Sequence, residues 1–199
     1  MRDPQNIEAL TGLSPDYMGF IFYDRSQRFV ADLDPTLLLN LPASIKTTGV
    51  FVNSSVENVL EKVRKYKLKA LQLHGGESAD YCKLVKIQFP DLEIIKAFGV
   101  NDNFNFEQLD NYVDSIDFFL FDTHTEAHGG SGKTFNWQLL SQYQLQVPYF
   151  LSGGIGLEQL QELKQIVDPR LYAVDVNSRF ETAPAMKDID QLRTFKNQL

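Results

Sequence analysis

Hydrophobic and polar positions along this chain alternate between two patterns. Short, nearly unbroken apolar runs occupy residues 17–22, 48–52, 70–73, 94–98, 118–121, 149–151 and 171–176. Such runs predict strands buried on both faces, the habit of parallel sheets. Between them, apolar residues recur at helical spacing. Val56, Val59, Leu60 and Val63 share one face of a helix expected over residues 56–66. Leu160, Leu163, Ile166 and Val167 do the same over residues 157–167. A first helix is expected over residues 4–10. A last one is expected over residues 189–195, opening behind Lys187 and Asp188, with an N-cap candidate there. Gly, Asn, Asp and Pro punctuate the junctions.

Repeated strand–helix units imply a parallel sheet with right-handed crossovers. Two architectures satisfy that rule: an open doubly wound sheet and a closed (β/α)8 barrel. The pattern gives seven strands and eight helices, and it opens on a helix. A barrel requires a strand ahead of that helix.

Bulk composition narrows the function classes. The chain has 199 residues, 43% of them hydrophobic and 23% charged, which suits one globular domain over residues 1–199. Its 26 acids against 19 bases give a net charge of -7 without a Lys/Arg cluster, which argues against nucleic-acid or anionic-membrane partners. The single cysteine, Cys82, allows no internal disulfide and fits a reducing compartment. No signal-like or membrane-length apolar run occurs, so a cytoplasmic enzyme acting on a small molecule is expected.

The candidate chemistry lies at strand ends. The run 118–121 finishes on Asp122, followed by a long glycine-rich loop with Gly129–Gly132. An acid at the C-terminal tip of a buried parallel strand sits where α/β barrels keep their chemistry, although it could instead cap a turn. Arg25 and Arg28 follow the first run; either could grip a planar carboxylate or simply lie in solvent. His74 ends the third run as an acid/base candidate or as a structural side chain. Gly153 and Gly154 follow the sixth run, and Asp175, Asn177, Ser178 and Arg179 end the last. In barrels the loops after the last two strands form a phosphate site from backbone N–H groups, though two glycines can also make a tight turn. Cys82 lies mid-helix and reads as packing, Trp137 as the anchor of the sixth helix, and His124 and His128 as solvated loop residues. No Cys/His spacing suits zinc, and neither a P-loop nor a G-x-G-x-x-G opens the chain, so no metal or nucleotide cofactor is expected.

Together these segments resemble phosphoribosylanthranilate isomerase, a family of tryptophan biosynthesis. The matching stretches are Met1-Arg-Asp-Pro4, Asp16–Phe22, Ser26-Gln-Arg28, Gly49–Asn53, Leu71–Gly75, Ile95–Phe98, Phe121–Thr123, Gly130–Trp137, Leu151–Ile155, Val174–Ser178 and Glu181–Pro184. They span the chain in order. The resemblance implies a (β/α)8 TIM barrel and a cofactor-free Amadori rearrangement of an aminoaldose phosphate to an aminoketose phosphate. It implies Asp122 as general acid and Arg28 as holder of the anthranilate carboxylate. His74 and Asp175 line the substrate pocket; Gly153, Gly154, Asn177 and Ser178 hold the phosphate, which the Arg179 guanidinium either joins or, by replacing a family glycine, exchanges for a local backbone change; Gly129–Gly132 form a lid.

The chain departs from the family pattern in three places. The family's general base is a cysteine in a Lys–apolar–Cys–Gly stretch that runs into Met-Arg-Asp-Pro, whereas here the sequence begins at that methionine. The expectation is therefore a barrel truncated at its N-terminus, without strand 1 and its base, impaired in activity and open to self-association through the unpaired edge. Arg179 and Ala185 stand where the family usually has glycine. Two other readings fit the same residues: another phosphosugar-isomerising barrel enzyme, or a non-catalytic phosphosugar-binding protein.

Overall fold

The computed structural model describes residues 1–31, 33–124 and 134–199. The expected lid at Gly129–Gly132 and His128 lie outside the described residues. Seven strands form one sheet: β1 (Tyr17–Ile21), β2 (Lys46–Phe51), β3 (Ala70–Leu73), β4 (Glu93–Val100), β5 (Phe118–Thr123), β6 (Tyr149–Leu151) and β7 (Leu171–Val174). All neighbours are parallel and pair in chain order, β1 to β7. A doubly wound sheet reverses its strand order at a switch point. The unreversed order here belongs to the barrel alternative.

The sheet curls. The Tyr17 ring on β1 lies 5.1 Å from Phe150 on β6 and 6.5 Å from Tyr172 on β7, across the concave face. On the same floor, the Tyr17 hydroxyl donates to Glu93 on β4 at 2.8 Å, and Lys46 on β2 pairs with Glu93 at 2.6 Å. Strands far apart in the order therefore meet through their side chains. Among the described residues the sheet is not closed: β1 and β7 end the order and form no ladder with each other.

Helices cover the convex face: α1 (Pro4–Thr11), α2 (Pro35–Leu39), α3 (Val56–Tyr66), α4 (Ala79–Gln88), α5 (Leu160–Leu163) and α6 (Ile189–Gln198). Their starts follow capping chemistry. Asp3, Asp34, Ser55, Ser78 and Asp188 each accept a backbone N–H of the first turn, and α1 and α2 begin with proline. The crossovers after β4 and β5 are 3-10 helices, Phe106–Tyr112 and Trp137–Gln142. Trp137 is buried in the second, as expected of an anchor. No helix among the described residues is long and apolar enough to cross a membrane.

Two expectations fail locally. The helix expected over residues 157–167 is a 3-10 turn, Leu157–Gln159, followed by the four-residue α5, and Val167 is 94% exposed rather than inward. Pro169 disfavours helical backbone at Asp168, whose carboxylate instead binds Arg170 at 2.8 Å. A two-stranded antiparallel ribbon, β8 (Glu181–Ala183) with β9 (Met186–Lys187), was not expected from the pattern. Its turn holds Ala185 at φ 70°, left-handed backbone that favours glycine.

Two-residue periodicity sorts each strand. Ala70, Ile95, Ala97, Phe118, Leu120 and Phe150 pack together on the concave side. Leu71, Leu73, Ile94, Phe119, Phe121, Tyr149 and Leu151 join the larger core under the helices. Continuing the concave parity to the strand ends places Gln72, His74, Asp122, Ser152 and Asp175 at one mouth.

Candidate active site

That mouth opens into a cavity of about 680 Å³ lined by Arg28, Gln72, His74, Asp122, Ser152, Gly153, Gly154, Asp175, Asn177, Ser178 and Lys187, among others. At its centre the His74 Nε2 lies 3.2 Å from Asp122 Oδ2. The Gln72 amide nitrogen sits 2.7 Å from His74 Nδ1. Opposite, the Ser152 hydroxyl donates to Asp175 Oδ2 at 3.0 Å. Burial, and then the charge of Asp122, push the Asp175 carboxyl above the ordinary range for an acid. The bond from Ser152 works in the other direction but does not prevail.

Glycine makes this packing possible. A Cβ on Gly153 would fall 2.5 Å from Thr123 N and 2.7 Å from Asp122 Oδ1, and the residue has φ 93°. Gly154 follows with φ 66°. The pair thus lets the loop after β6 close on the Asp122 carboxylate while turning left-handed toward the cavity.

A second cluster flanks the first. Arg28 Nε and Nη2 donate to the Glu181 carboxylate at 2.6–3.0 Å. Lys187 donates to the same carboxylate at 3.1 Å and to Asn177 Oδ1 at 2.5 Å. Burial opposes ionisation of Glu181, yet the Arg28 hydrogen bond and the Lys187 charge hold its pKa below the usual carboxylate value. Burial lowers Lys187 despite Glu181 beside it. Arg28 is itself fixed by Ser26, whose hydroxyl accepts the Arg28 N–H at 3.1 Å.

A third, fully buried cluster sits behind His74. Lys96 on β4 donates to the carbonyls of Leu73, Gly75 and Ala97 at 2.7–3.1 Å and lies 3.3 Å from Glu77. Glu77 accepts the backbone N–H groups of Asn53 and Gly75 at 2.7 and 2.9 Å. One ion pair thus ties the loop after β2 to the loop that carries His74.

A family profile described as N-(5'phosphoribosyl)anthranilate (PRA) isomerase matches residues 1–198. An N-(5'-phosphoribosyl)anthranilate isomerase from Parabacteroides distasonis is 42% identical across all of this chain and 90% of its own length. The chain belongs to the phosphoribosylanthranilate isomerase family. The same enzyme from Phocaeicola vulgatus is 41% identical, with 100% of this chain and 94% of the relative covered. A crystal structure of a phosphoribosyl anthranilate isomerase in complex with reduced 1-(o-carboxyphenylamino)-1-deoxyribulose 5-phosphate superimposes with a TM-score of 0.81 and 28% identity, covering 100% of this chain and 94% of that one.

Of the positions expected from the phosphoribosylanthranilate isomerase pattern, Asp122, His74, Asp175, Gly153, Gly154, Arg28, Asn177 and Ser178 all line the one cavity. Arg179 does not line the cavity; it is 43% exposed and lies 3.5 Å from Glu158. Cys82 is buried in α4, its thiol pushed up to about 11 chiefly by burial, which suits the packing role expected of it. Gln72, Ser152, Glu181, Lys187 and the Lys96–Glu77 pair were missed. Strand parity counted back from His74 would have found Gln72, and counted on from Phe150 would have found Ser152. Nothing local marks Glu181, whose partner Arg28 is 153 residues away.

Proposed function

We propose that this chain carries out the isomerisation of its family, with N-(5-phosphoribosyl)anthranilate as substrate and 1-(2-carboxyphenylamino)-1-deoxyribulose 5-phosphate as product. The observation that carries the reading is the convergence of Asp122, His74 and Asp175 at one mouth, between Arg28 on one side and the loops after β6 and β7 on the other. In this reading protonated Asp122 donates to the ribose ring oxygen. The C1'–O bond breaks as the anthranilate nitrogen lone pair forms an iminium. A base then takes the C2' proton, and its electrons give an enolamine that tautomerises to the ketone. Protons move and no electrons are gained or lost, so no cofactor is required. Arg28 holds the anthranilate carboxylate with the donors that Glu181 leaves to it. Backbone N–H groups around Gly153, Gly154, Asn177 and Ser178 take the phosphate. The resemblance that assigned these roles also puts the reaction in tryptophan biosynthesis, and the single cysteine fits a cytoplasmic setting.

The base belongs to an eighth strand between β1 and β7. What supports this is that β1 and β7 end the strand order and form no ladder with each other, the outer edge of β1 being met by the Met1 ammonium at Gly19 and by the Phe29–Val30 segment at Ile21. A parallel strand inserted there would satisfy both edges and bring its C-terminal residue to the mouth that holds Asp122. The test is turnover, followed as loss of anthranilate fluorescence. The chain as given is compared with one carrying a Lys–apolar–Cys–Gly strand ahead of Met1. Strong gain with the strand, abolished by Asp122→Asn, is expected. No activity in the extended chain would refute the proposal.

A further inference from the structure

We propose that Gln72 is a positioning residue that keeps the His74 ring neutral, so that Asp122 can carry the proton it donates. The argument rests on the reading of Asp122 as general acid. An amide NH2 only donates, and a ring nitrogen that receives it must present a lone pair. With the Gln72 nitrogen 2.7 Å from Nδ1, the one proton of the ring sits on Nε2 and points at Asp122 Oδ2, 3.2 Å away. A second ring proton would have to occupy Nδ1, against the amide hydrogens.

The surrounding charges make that restraint necessary. Asp122 faces the ring from β5. Asp175, beyond the end of β7, interacts electrostatically with both Asp122 and His74. Behind the ring, Glu77 and Lys96 on β4 form a pair whose ammonium group binds the carbonyls of Leu73 and Gly75, on either side of His74. Two carboxylates thus face the ring. An imidazolium at hydrogen-bond distance favours the ionised form of an acid. A general acid locked in that way has no proton to give. The Gln72 NH2 group opposes this outcome from the far side of the ring.

The position also explains how the device is built. Gln72 and His74 are two residues apart at the end of β3, so both side chains leave the same face of the strand. The amide of one therefore reaches the near nitrogen of the other, while the far nitrogen reaches across to the β5 acid.

Ring-nitrogen NMR tests the proposal in the chain as it exists, without turnover. The chain has three histidines, and His74→Asn assigns the signals of His74. In the unsubstituted chain above the titration, Nε2 should read as the protonated nitrogen and Nδ1 as the bare one. Gln72→Glu replaces the donor by an acceptor, and the His74 titration should move up by about one pH unit or more. Gln72→Leu, which removes the donor and adds no charge, should raise it less and populate the Nδ1–H tautomer. A protonated Nδ1 in the unsubstituted neutral ring would overturn the proposal. So would a Gln72→Glu titration coincident with the parent. Because the readout is the ring and not catalysis, it stands or falls separately from the isomerase assay.

Discussion

Replacing Lys96 with methionine isolates the ion pair that organises the mouth. Methionine nearly matches the stem in length and volume, so little packing is lost. What disappears is an ammonium group donating to three carbonyls and to Glu77, with Lys96 and Glu77 side chains only 1% and 2% exposed. Glu77 keeps two backbone donors but loses its counter-charge. Breaking a buried pair from one side costs about 3–5 kcal/mol. A domain of ordinary stability has only about 5–15 kcal/mol in total. Urea unfolding followed by the single tryptophan, Trp137, gives the loss directly. Glu77→Gln and the double variant complete a cycle, and the double variant should be less destabilised than the sum of the single ones. A Lys96→Met loss within about 0.5 kcal/mol, the range of a surface substitution, would refute the reasoning. So would strict additivity in the cycle.

Three further outcomes follow from the geometry. Asp175 has a folded pKa raised above its ordinary 3.8, by burial first and then by Asp122. Such a group favours folding fully below its unfolded pKa and loses that contribution as pH climbs through the folded value. Asp175→Asn should therefore be more stable than the parent at neutral pH, with the advantage vanishing in acid; thermal melts across pH check it, and an advantage that grows in acid would contradict it. Gly153→Ala adds a Cβ against Thr123 and Asp122 at φ 93°. Overpacking of about 1–3 kcal/mol and left-handed strain of about 1–2 kcal/mol predict a loss of several kcal/mol, against strain alone for Gly154→Ala. Equal losses in the two would remove the steric argument. Ala185→Gly relieves a φ of 70° and should stabilise by about 0.5–1 kcal/mol net of chain entropy, measured by urea midpoint.

The strand and helix succession was legible because it is written in local period. An apolar run as short as Phe118–Phe121, bounded by turn residues, reads as a strand buried on both faces, and Asp188 marks the start of the last helix by its own hydrogen bond. The chemistry-bearing positions were legible for a related reason. A side chain at the C-terminal tip of a parallel strand has one mouth to face, so Asp122, His74 and Asp175 could be placed together before any coordinates. Period failed where a distant residue intervened, as at Val167, which Pro169 leaves outside the helix.

By itself, then, the sequence determined the alternation of parallel strands with helices and the acid at the end of one strand, since each follows from spacing along the chain, while the order of the strands in the sheet came from the structure. The tertiary structure decided what those residues touch. Only the curl of the sheet brings Tyr17 against Phe150 and lets Asp122 meet His74. Only the ribbon near the C-terminus brings Glu181 and Lys187 to Arg28. Those contacts set protonation states through burial and charge at a few ångströms, and distance in space has no counterpart in the order of residues.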